Sequence, residues 1–280
     1  MTEQKKIYGL IGQPVSHSLS PLMHNAAFSR LKINAEYKLF PLKEEELEAF
    51  LKGLDIKGIS GLNVTVPYKE KVIPFLHNIS YEAKIIGAVN TIKVSSGKLE
   101  GFNTDGSGFL KHLTEDLGFN PEGRNVAVIG AGGASRAVTV YLSKAISKSI
   151  SIYDIDKNRL ASLASYLKAN FKQTDIRAAA SVEDLGIDHC DLLVNTSPVG
   201  MKDTDPCLID TGKIHKEMLV YDLIYNPKET KLLKMARDKG AKVSNGLGML
   251  LYQGMIAFEL WTGQKAPKEI MLKALLGGLP

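Results

Sequence analysis

The chain has 280 residues, 44% hydrophobic and 23% charged, the balance of a globular protein with a sizeable core in one large domain or two moderate ones. Its 35 lysines and arginines against 30 acids give a net charge of +5, but the bases are scattered, which argues against a nucleic-acid-binding face and still suits anionic small molecules. The N-terminal MTEQKKIYGL lacks the apolar core of a secretory signal, no apolar run reaches the ~18 residues of a membrane span, and Cys190 and Cys207 form no C-x-x-C pair. The expectation is a cytoplasmic protein with free thiols, no membrane partner and no metal.

Short β-branched runs alternate with helical patterns, which predicts an α/β fold. The first part offers strands at KIYGLIG, AEYKLFPL and GISGLNVTV, with helices at PLMHNAAFSRL and EEELEAFLKGL between them. Next, AKIIGAVNTIKVSSGKLEGFNTDG reads as an extended segment with a hairpin turn at SSGK. Near residue 124 a second series begins, with strands at RNVAVIG, SISIYD, DIRAAAS, DLLVNTS, MLVYDLIYNP and AKVSNG and helices at ASRAVTVYLSKA and NRLASLASYLKANF. That rhythm predicts a doubly wound parallel-sheet domain for a dinucleotide. The final long stretch, LGMLLYQGMIAFELWTG, repeats Leu247, Leu250, Leu251 and Met255 at helical spacing, so an amphipathic helix should leave the second domain and pack on the first. The boundary is therefore discontinuous: residues 1–105 with 246–280 form one domain, and residues 106–245 the other.

After the strand NVAVI comes GAGGASRA, residues 130–137. Gly130 and Gly132 occupy the first two positions of G-x-G-x-x-G, and Ser135 the third. The first glycine permits a tight turn, the second lets a pyrophosphate approach the backbone, and a small third residue allows close helix–sheet packing. The following helix offers its N-terminal N–H groups to phosphates. The loops NTSPVGM and DLIYNP end two further strands, where ligands lie in such sheets.

In the first domain, Ser20 followed by Pro21 reads as a helix N-cap with proline behind it, leaving Ser18 free for another use. Two hydroxyls beside a helix N-terminus suit a carboxylate. In NVTVPYK, Asn63 and Thr65 alternate with valines and so share a face, with Lys69 just beyond. Asn90 ends GAVN, and Asp105, in GFNTDG, reads as the N-cap of a helix beginning near Gly106. His17 and His24 have no third metal ligand nearby and are expected to be structural. Together these residues suit a polyhydroxylated acid beside a dinucleotide.

The stretches GQPVSHSLSP, NVTVPYK, GAVNT, GFNTDG, GAGGASRA, NTSPVGM, YDLIYNP and NGLGMLLYQG, in this order, resemble the shikimate dehydrogenase family over almost the whole chain. The resemblance implies an α/β substrate domain, completed by C-terminal helices, with an inserted Rossmann domain. It implies the reversible reduction of 3-dehydroshikimate to shikimate in aromatic amino acid biosynthesis. Ser18 and Ser20 would bind the carboxylate. Asn63, Thr65, Asn90 and Gln253 would hold ring hydroxyls, and Tyr225 would reach the substrate from the cofactor domain. Lys69 and Asp105 would be the catalytic pair. NAD(P) would lie along Gly130, Ala131, Gly132, Gly133, Ala134, Asp154, Lys157, Arg159, Thr196, Leu223 and Gly246. The assembly is left open, a homodimer included.

One stretch departs from the family. Members that use NADPH carry Asn-Arg-Thr after the second strand of the cofactor domain, and here the residues are Asp154, Ile155 and Asp156. Asp154 follows Gly130 at roughly the 20-residue spacing of an acid that binds the ribose hydroxyls of NAD. A 2′-phosphate carries about −1.5 to −2 charges, by analogy with phosphorylated side chains. At ~4 Å and an effective dielectric of ~20, each like-charge pair costs on the order of 4 kcal/mol before screening. The expected preference is therefore NAD, with NADP the family default. Lys157 and Arg159 could rescue NADPH by turning inward. The paired serines favour shikimate over quinate, whose oxidation with NAD is the alternative. A dinucleotide-sensing protein without turnover is a further one, disfavoured by the presence of both Lys69 and Asp105.

Overall fold

In the computed structural model, which describes residues 4–279, the run KIYGLIG forms β1 (Lys6–Gly12). It pairs in parallel with β2 (Ala35–Pro41) and with β3 (Ile59–Val64). With β4 (Asn78–Ile79), β5 (Thr91–Ser95) and β6 (Lys98–Phe102) they make a mixed sheet in the order β2-β1-β3-β5-β6-β4. The helices α1 (Ser20–Arg30) and α2 (Leu47–Lys52) follow β1 and β2. Ile11, Leu62, Val64 and Ile92 lie in a core that Leu51 and Leu54 close. The β5–β6 hairpin turns on Ser96 and Gly97, both at positive φ (48° and 73°), the backbone that matches the right-handed strand twist. The segment before it is not extended throughout. Tyr81–Ile86 forms α3, because the Ser80 hydroxyl accepts the Ala83 N–H as an N-cap and Gly87, at φ 72°, ends the helix. The AKII run masked that pair of signals.

The second sheet is wholly parallel. Its strands are β7 (Asn125–Ile129), β8 (Ser149–Tyr153), β9 (Asp175–Ala178), β10 (Leu192–Asn195), β11 (Leu219–Asp222) and β12 (Lys242–Ser244). They stand in the order β12-β11-β10-β7-β8-β9, the 3-2-1-4-5-6 arrangement of a doubly wound dinucleotide fold read from the other edge. Val126, Ala127, Val128, Leu192, Leu193 and Val194 are all buried, as continuous apolar strands covered on both faces require. The remaining helices are α4 (Asp105–Lys111), α5 (Gly133–Lys144), α6 (Lys157–Asn170), α7 (Lys231–Asp238), α8 (Leu247–Thr262) and α9 (Lys268–Gly277).

The described residues divide into two compact units, one running to Gly108 and resuming at Leu251, the other Phe109–Leu250. Both passages between units lie inside helices, α4 and α8, whereas the sequence places them at 105 and 246. Gly106 and Gly108 near the first passage and Gly246 and Gly248 near the second lie in or beside those helices, so no irregular linker marks the division. Residues 1–3 and 280, assigned by the sequence to the first domain, lie outside the described residues. Helix α8 is not a simple amphipathic stripe: Met249, Tyr252, Gln253, Ala257 and Phe258 are buried as well as Leu247 and Leu251. Near its end the Trp261 indole donates to the Ile92 carbonyl at 3.0 Å, which ties α8 to β5. No helix among the described residues is long and apolar enough to cross a membrane.

Candidate active site

The loop after β3 brings Lys69 to the start of α4. The backbone holds it there, since the Lys69 carbonyl accepts the Val89 N–H at 2.8 Å. The Lys69 ammonium lies 2.6 Å from Asp105 Oδ2, and the two side chains are 19% and 8% exposed. The other carboxylate oxygen, Oδ1, accepts from Asn90 Nδ2 at 2.9 Å. Asn90 is itself fixed. Its Nδ2 also donates to Thr104 Oγ1 at 2.9 Å, and its Oδ1 accepts the Thr104 N–H at 2.8 Å and the Thr91 hydroxyl at 3.0 Å. A largely buried ion pair loses much more on removal of one partner than its net worth, so this cluster depends on both charges.

Asn63, at the end of β3, donates to the Asn90 carbonyl at 3.3 Å and to Thr91 Oγ1 at 3.1 Å, and its Oδ1 accepts from the Tyr37 hydroxyl at 2.8 Å. Thr65 lies just past β3, its N–H on the Ile11 carbonyl. Gln253 approaches from α8, Oε1 3.5 Å from Asn90 Nδ2. Gly108 permits that approach, because a Cβ there would stand 2.6 Å from the Gln253 nitrogen. Lys69, Asp105, Asn63, Asn90 and Gln253 are therefore one hydrogen-bonded constellation.

Two local expectations need correction. Ser20 is not the N-cap of α1: Leu19 holds that position, and the Ser18 hydroxyl accepts the Ser20 N–H at 3.2 Å. Ser18 serves the helix start, and the Ser20 side chain is buried. Asp105 likewise caps nothing. It is the first residue of α4, and Asn103 Oδ1 accepts its N–H at 3.1 Å. In both cases a polar side chain two residues earlier accepts the N–H of the helix's first residue. His24 is fully buried, stacked on Tyr37 with centroids 4.5 Å apart, and both its ring nitrogens lack a partner among the described residues. Burial lowers its pKa to about 3. No group of three or more metal-ligating side chains occurs among the described residues.

In the second unit the glycine loop leaves β7 with Gly130 at φ +109°, and a Cβ there would stand 2.4 Å from Thr196 Oγ1. The Ser135 hydroxyl donates back to the Gly130 carbonyl at 2.6 Å, so the third position of the motif braces the turn. An added Cβ on Gly132 or Gly133 would meet nothing within 4 Å. Gly132 and Gly133 therefore answer no packing need of the chain and leave bare backbone at the start of α5, with Ala134 following. That open cradle fits a pyrophosphate. Asp154 sits beside it: Oδ2 accepts the Ala131 N–H at 2.6 Å and Oδ1 the Asp156 N–H at 2.7 Å. Lys157 turns to the Ala180 carbonyl at 2.7 Å and lies over the Tyr153 ring, and Arg159 pairs with Asp156 at 3.2 Å. Ile155 is 88% exposed.

Across the sheet, Leu223 and Gly246 meet so closely that a Cβ on Gly246 would overlap the Leu223 carbonyl. Tyr225 follows in the same loop, its phenol pKa raised by burial. Beneath them Asp222, which the sequence analysis passed over, accepts from Asn195 Nδ2 at 3.0 Å, the Ile224 N–H at 3.0 Å and the Thr230 hydroxyl at 2.7 Å. Asn195 in turn accepts from Ser197, so one carboxylate joins the NTSPVGM and DLIYNP loops. Burial pushes the pKa of Asp222 up to about 6 against those three hydrogen bonds. Asn103, Thr104, Thr91 and Tyr37 were also missed. The consecutive polar residues Asn103, Thr104 and Asp105 immediately after β6 were the available signal, and Tyr37 had none.

Comparison with known proteins gives the same constellation a context. Residues 10–92 match the model of the shikimate dehydrogenase substrate binding domain, and residues 246–276 that of the shikimate 5′-dehydrogenase C-terminal domain. The chain is 44% identical to the shikimate dehydrogenase (NADP(+)) of Methanopyrus kandleri, over 98% of this chain and 96% of that protein. It superposes with a TM-score of 0.90 on shikimate 5-dehydrogenase from Listeria monocytogenes in complex with shikimate and NAD, 31% identical over 98% of each chain. Quinate dehydrogenase from Corynebacterium glutamicum, in complex with NAD, also superposes with a TM-score of 0.90, 32% identical over 98% of this chain and 99% of that one.

Proposed function

The chain belongs to the shikimate dehydrogenase family, oxidoreductases acting on a CH–OH group, and on that premise we propose that it reduces 3-dehydroshikimate reversibly to shikimate in the cytoplasm, as a step of aromatic amino acid biosynthesis. The observation that carries the reading is the 2.6 Å Lys69–Asp105 pair set among Asn63, Asn90 and Gln253. A keto carbon that gains a hydride leaves an oxygen that needs a proton, and a group within hydrogen-bond reach must supply it. Lys69 donates that proton and takes one back in the oxidation direction. Asp105 holds the ammonium in place and balances its charge, and Asn90 keeps Asp105 from rotating. Asn63, Thr65, Asn90 and Gln253 take the ring hydroxyls, and Ser18 and Ser20 the carboxylate. A dinucleotide held along Gly130 to Ala134, with Thr196, Leu223 and Gly246 lining its crevice, supplies the hydride for reduction and takes it in oxidation.

The cofactor is NAD(P), and NAD is preferred. Asp154 supports this, since both its oxygens are anchored by backbone N–H groups and its charge cannot swing away from the ribose end of the cradle. Lys157 and Arg159 support it too, because both are engaged elsewhere. The curated relatives named for NADP(+) weigh the other way. The second reading, quinate oxidation with NAD, draws on the likeness to quinate dehydrogenase. Against it, a small serine at position 20 beside Ser18 suits shikimate. The test is a steady-state panel of shikimate and quinate, each with NAD and NADP, followed by reduced-nicotinamide absorbance. The highest kcat/KM is expected for shikimate with NAD. Turnover with neither acid would end the dehydrogenase reading, and a preference for NADP would end the cofactor reading alone.

A further inference from the structure

We propose that Tyr37 is a positioning residue for the substrate, fixing the sense of the Asn63 amide; this rests on the substrate site assigned above. Tyr37 lies in β2 and is 2% exposed. Its direction is set twice over. The Asn25 side chain clamps its backbone, accepting the Tyr37 N–H at 2.8 Å and donating to its carbonyl at 3.1 Å. The His24 ring then lies flat against the phenol, 4.5 Å between centroids and 6° between planes. Asn25 and His24 belong to α1, the helix whose first residue is Ser20. The carboxylate end of the site is thus fastened to the strand that carries Tyr37.

The proton order in this chain of groups follows from what each can do. The Asn90 carbonyl can only accept, so the Asn63 nitrogen must face it, at 3.3 Å. The Asn63 oxygen then faces Tyr37, which must donate to it, at 2.8 Å. The order is Tyr37 to Asn63 to the Asn90 backbone, and the Asn90 side chain continues to Asp105. Without the Tyr37 hydroxyl, the buried Asn63 oxygen has no donor and the amide is free to flip, which misplaces a hydroxyl contact. No residue of the cofactor unit takes part, so the effect is confined to the acid.

The experiment is steady-state oxidation of shikimate by Tyr37→Phe, which deletes one oxygen and retains the stacked ring, alongside Ser20→Ala, Asn63→Ala and the Tyr37→Phe/Asn63→Ala double variant. KM for shikimate should rise about tenfold in Tyr37→Phe, with kcat within about threefold and KM for the dinucleotide unchanged. The rise should shrink in the Asn63→Ala background, a non-additivity that a merely structural role does not produce. An unchanged KM for shikimate, or full additivity with Asn63→Ala, overturns the inference. If Ser20→Ala and Asn63→Ala themselves leave that KM unchanged, the substrate site is what fails. Asn25→Ala gives a second reading should Tyr37→Phe not fold: it loosens the clamp and leaves the phenol. A smaller rise in the same KM is expected, and none would overturn the inference.

Discussion

The two units build their halves of the chemistry in opposite ways. The substrate unit uses buried side chains that are already hydrogen-bonded to one another, from Tyr37 through Asn63 and Asn90 to Asp105 and Lys69. The cofactor unit uses backbone: Gly132 and Gly133 leave open space, and the buried carboxylate of Asp222 only fastens the surrounding loops. A small polyol differs from its analogues by single hydroxyls, and a buried polar site rejects a wrong partner because its groups are left unpaired. A pyrophosphate is the same in every dinucleotide, so N–H groups at a helix start suffice, and in the proposed reading discrimination falls to one residue, Asp154.

That contrast can be broken at each end. A large effect is expected from Asp105→Asn, which keeps the shape and removes the charge that holds Lys69. kcat should fall by about 10²- to 10³-fold, within the range of general acid–base contributions, while KM for shikimate changes only a few-fold. Asp154→Asn acts on the other unit. An amide has one oxygen for two loop N–H groups, so KM should worsen for both dinucleotides, and the informative quantity is the ratio. The kcat/KM preference for NAD over NADP should drop on the order of tenfold, from removal of a like-charge contact with the 2′-phosphate. A ratio that does not move shows that Asp154 only shapes the loop.

Further effects are on stability, and the units should respond to pH with opposite slopes. In the substrate unit His24 has a pKa lowered to about 3 from 6.5, so the unfolded chain takes up the proton first. The stability it confers is present above pH 6.5 and is lost as pH falls towards 3, by an amount on the order of 4 kcal/mol. His24→Phe, which retains a ring against Tyr37, should flatten that acid limb in thermal melts. In the cofactor unit Asp222 has a pKa raised from 3.8 to about 6, so the folded state holds the proton longer and stability falls as pH rises through that window. Asp222→Asn should remove that decline. Identical slopes in both variants and the parent would contradict the two assignments.

The parallel sheet was legible because strands buried on both faces have to be continuous apolar runs, as NVAVI and DLLV are. The glycine loop was legible because Gly130 needs a left-handed backbone and the space beside Thr196, while Gly132 and Gly133 leave the start of α5 open. Lys69 and Asp105 stand 36 residues apart, and no spacing rule joins them; the family resemblance supplied that pairing. The roles of Ser18 and Ser20 came out differently because capping is decided by which hydroxyl reaches the free N–H, a matter of loop geometry. Tyr37 reads as one more aromatic strand residue, and its hydroxyl matters only through β3, which it meets by tertiary folding. Asp222 ends an apolar strand next to a loop motif, and its burial could not be inferred from either neighbour.

The central claim is that Lys69 handles the proton of the reacting oxygen. Steady-state kinetics of Lys69→Ala with shikimate and the preferred dinucleotide test it most directly. The account predicts a kcat lowered about 10³-fold or more, with KM for shikimate within a few-fold of the parent and the dinucleotide KM unchanged. A kcat near the parent value would remove Lys69 from the chemistry, and with it the mechanism built on the Lys69–Asp105 pair.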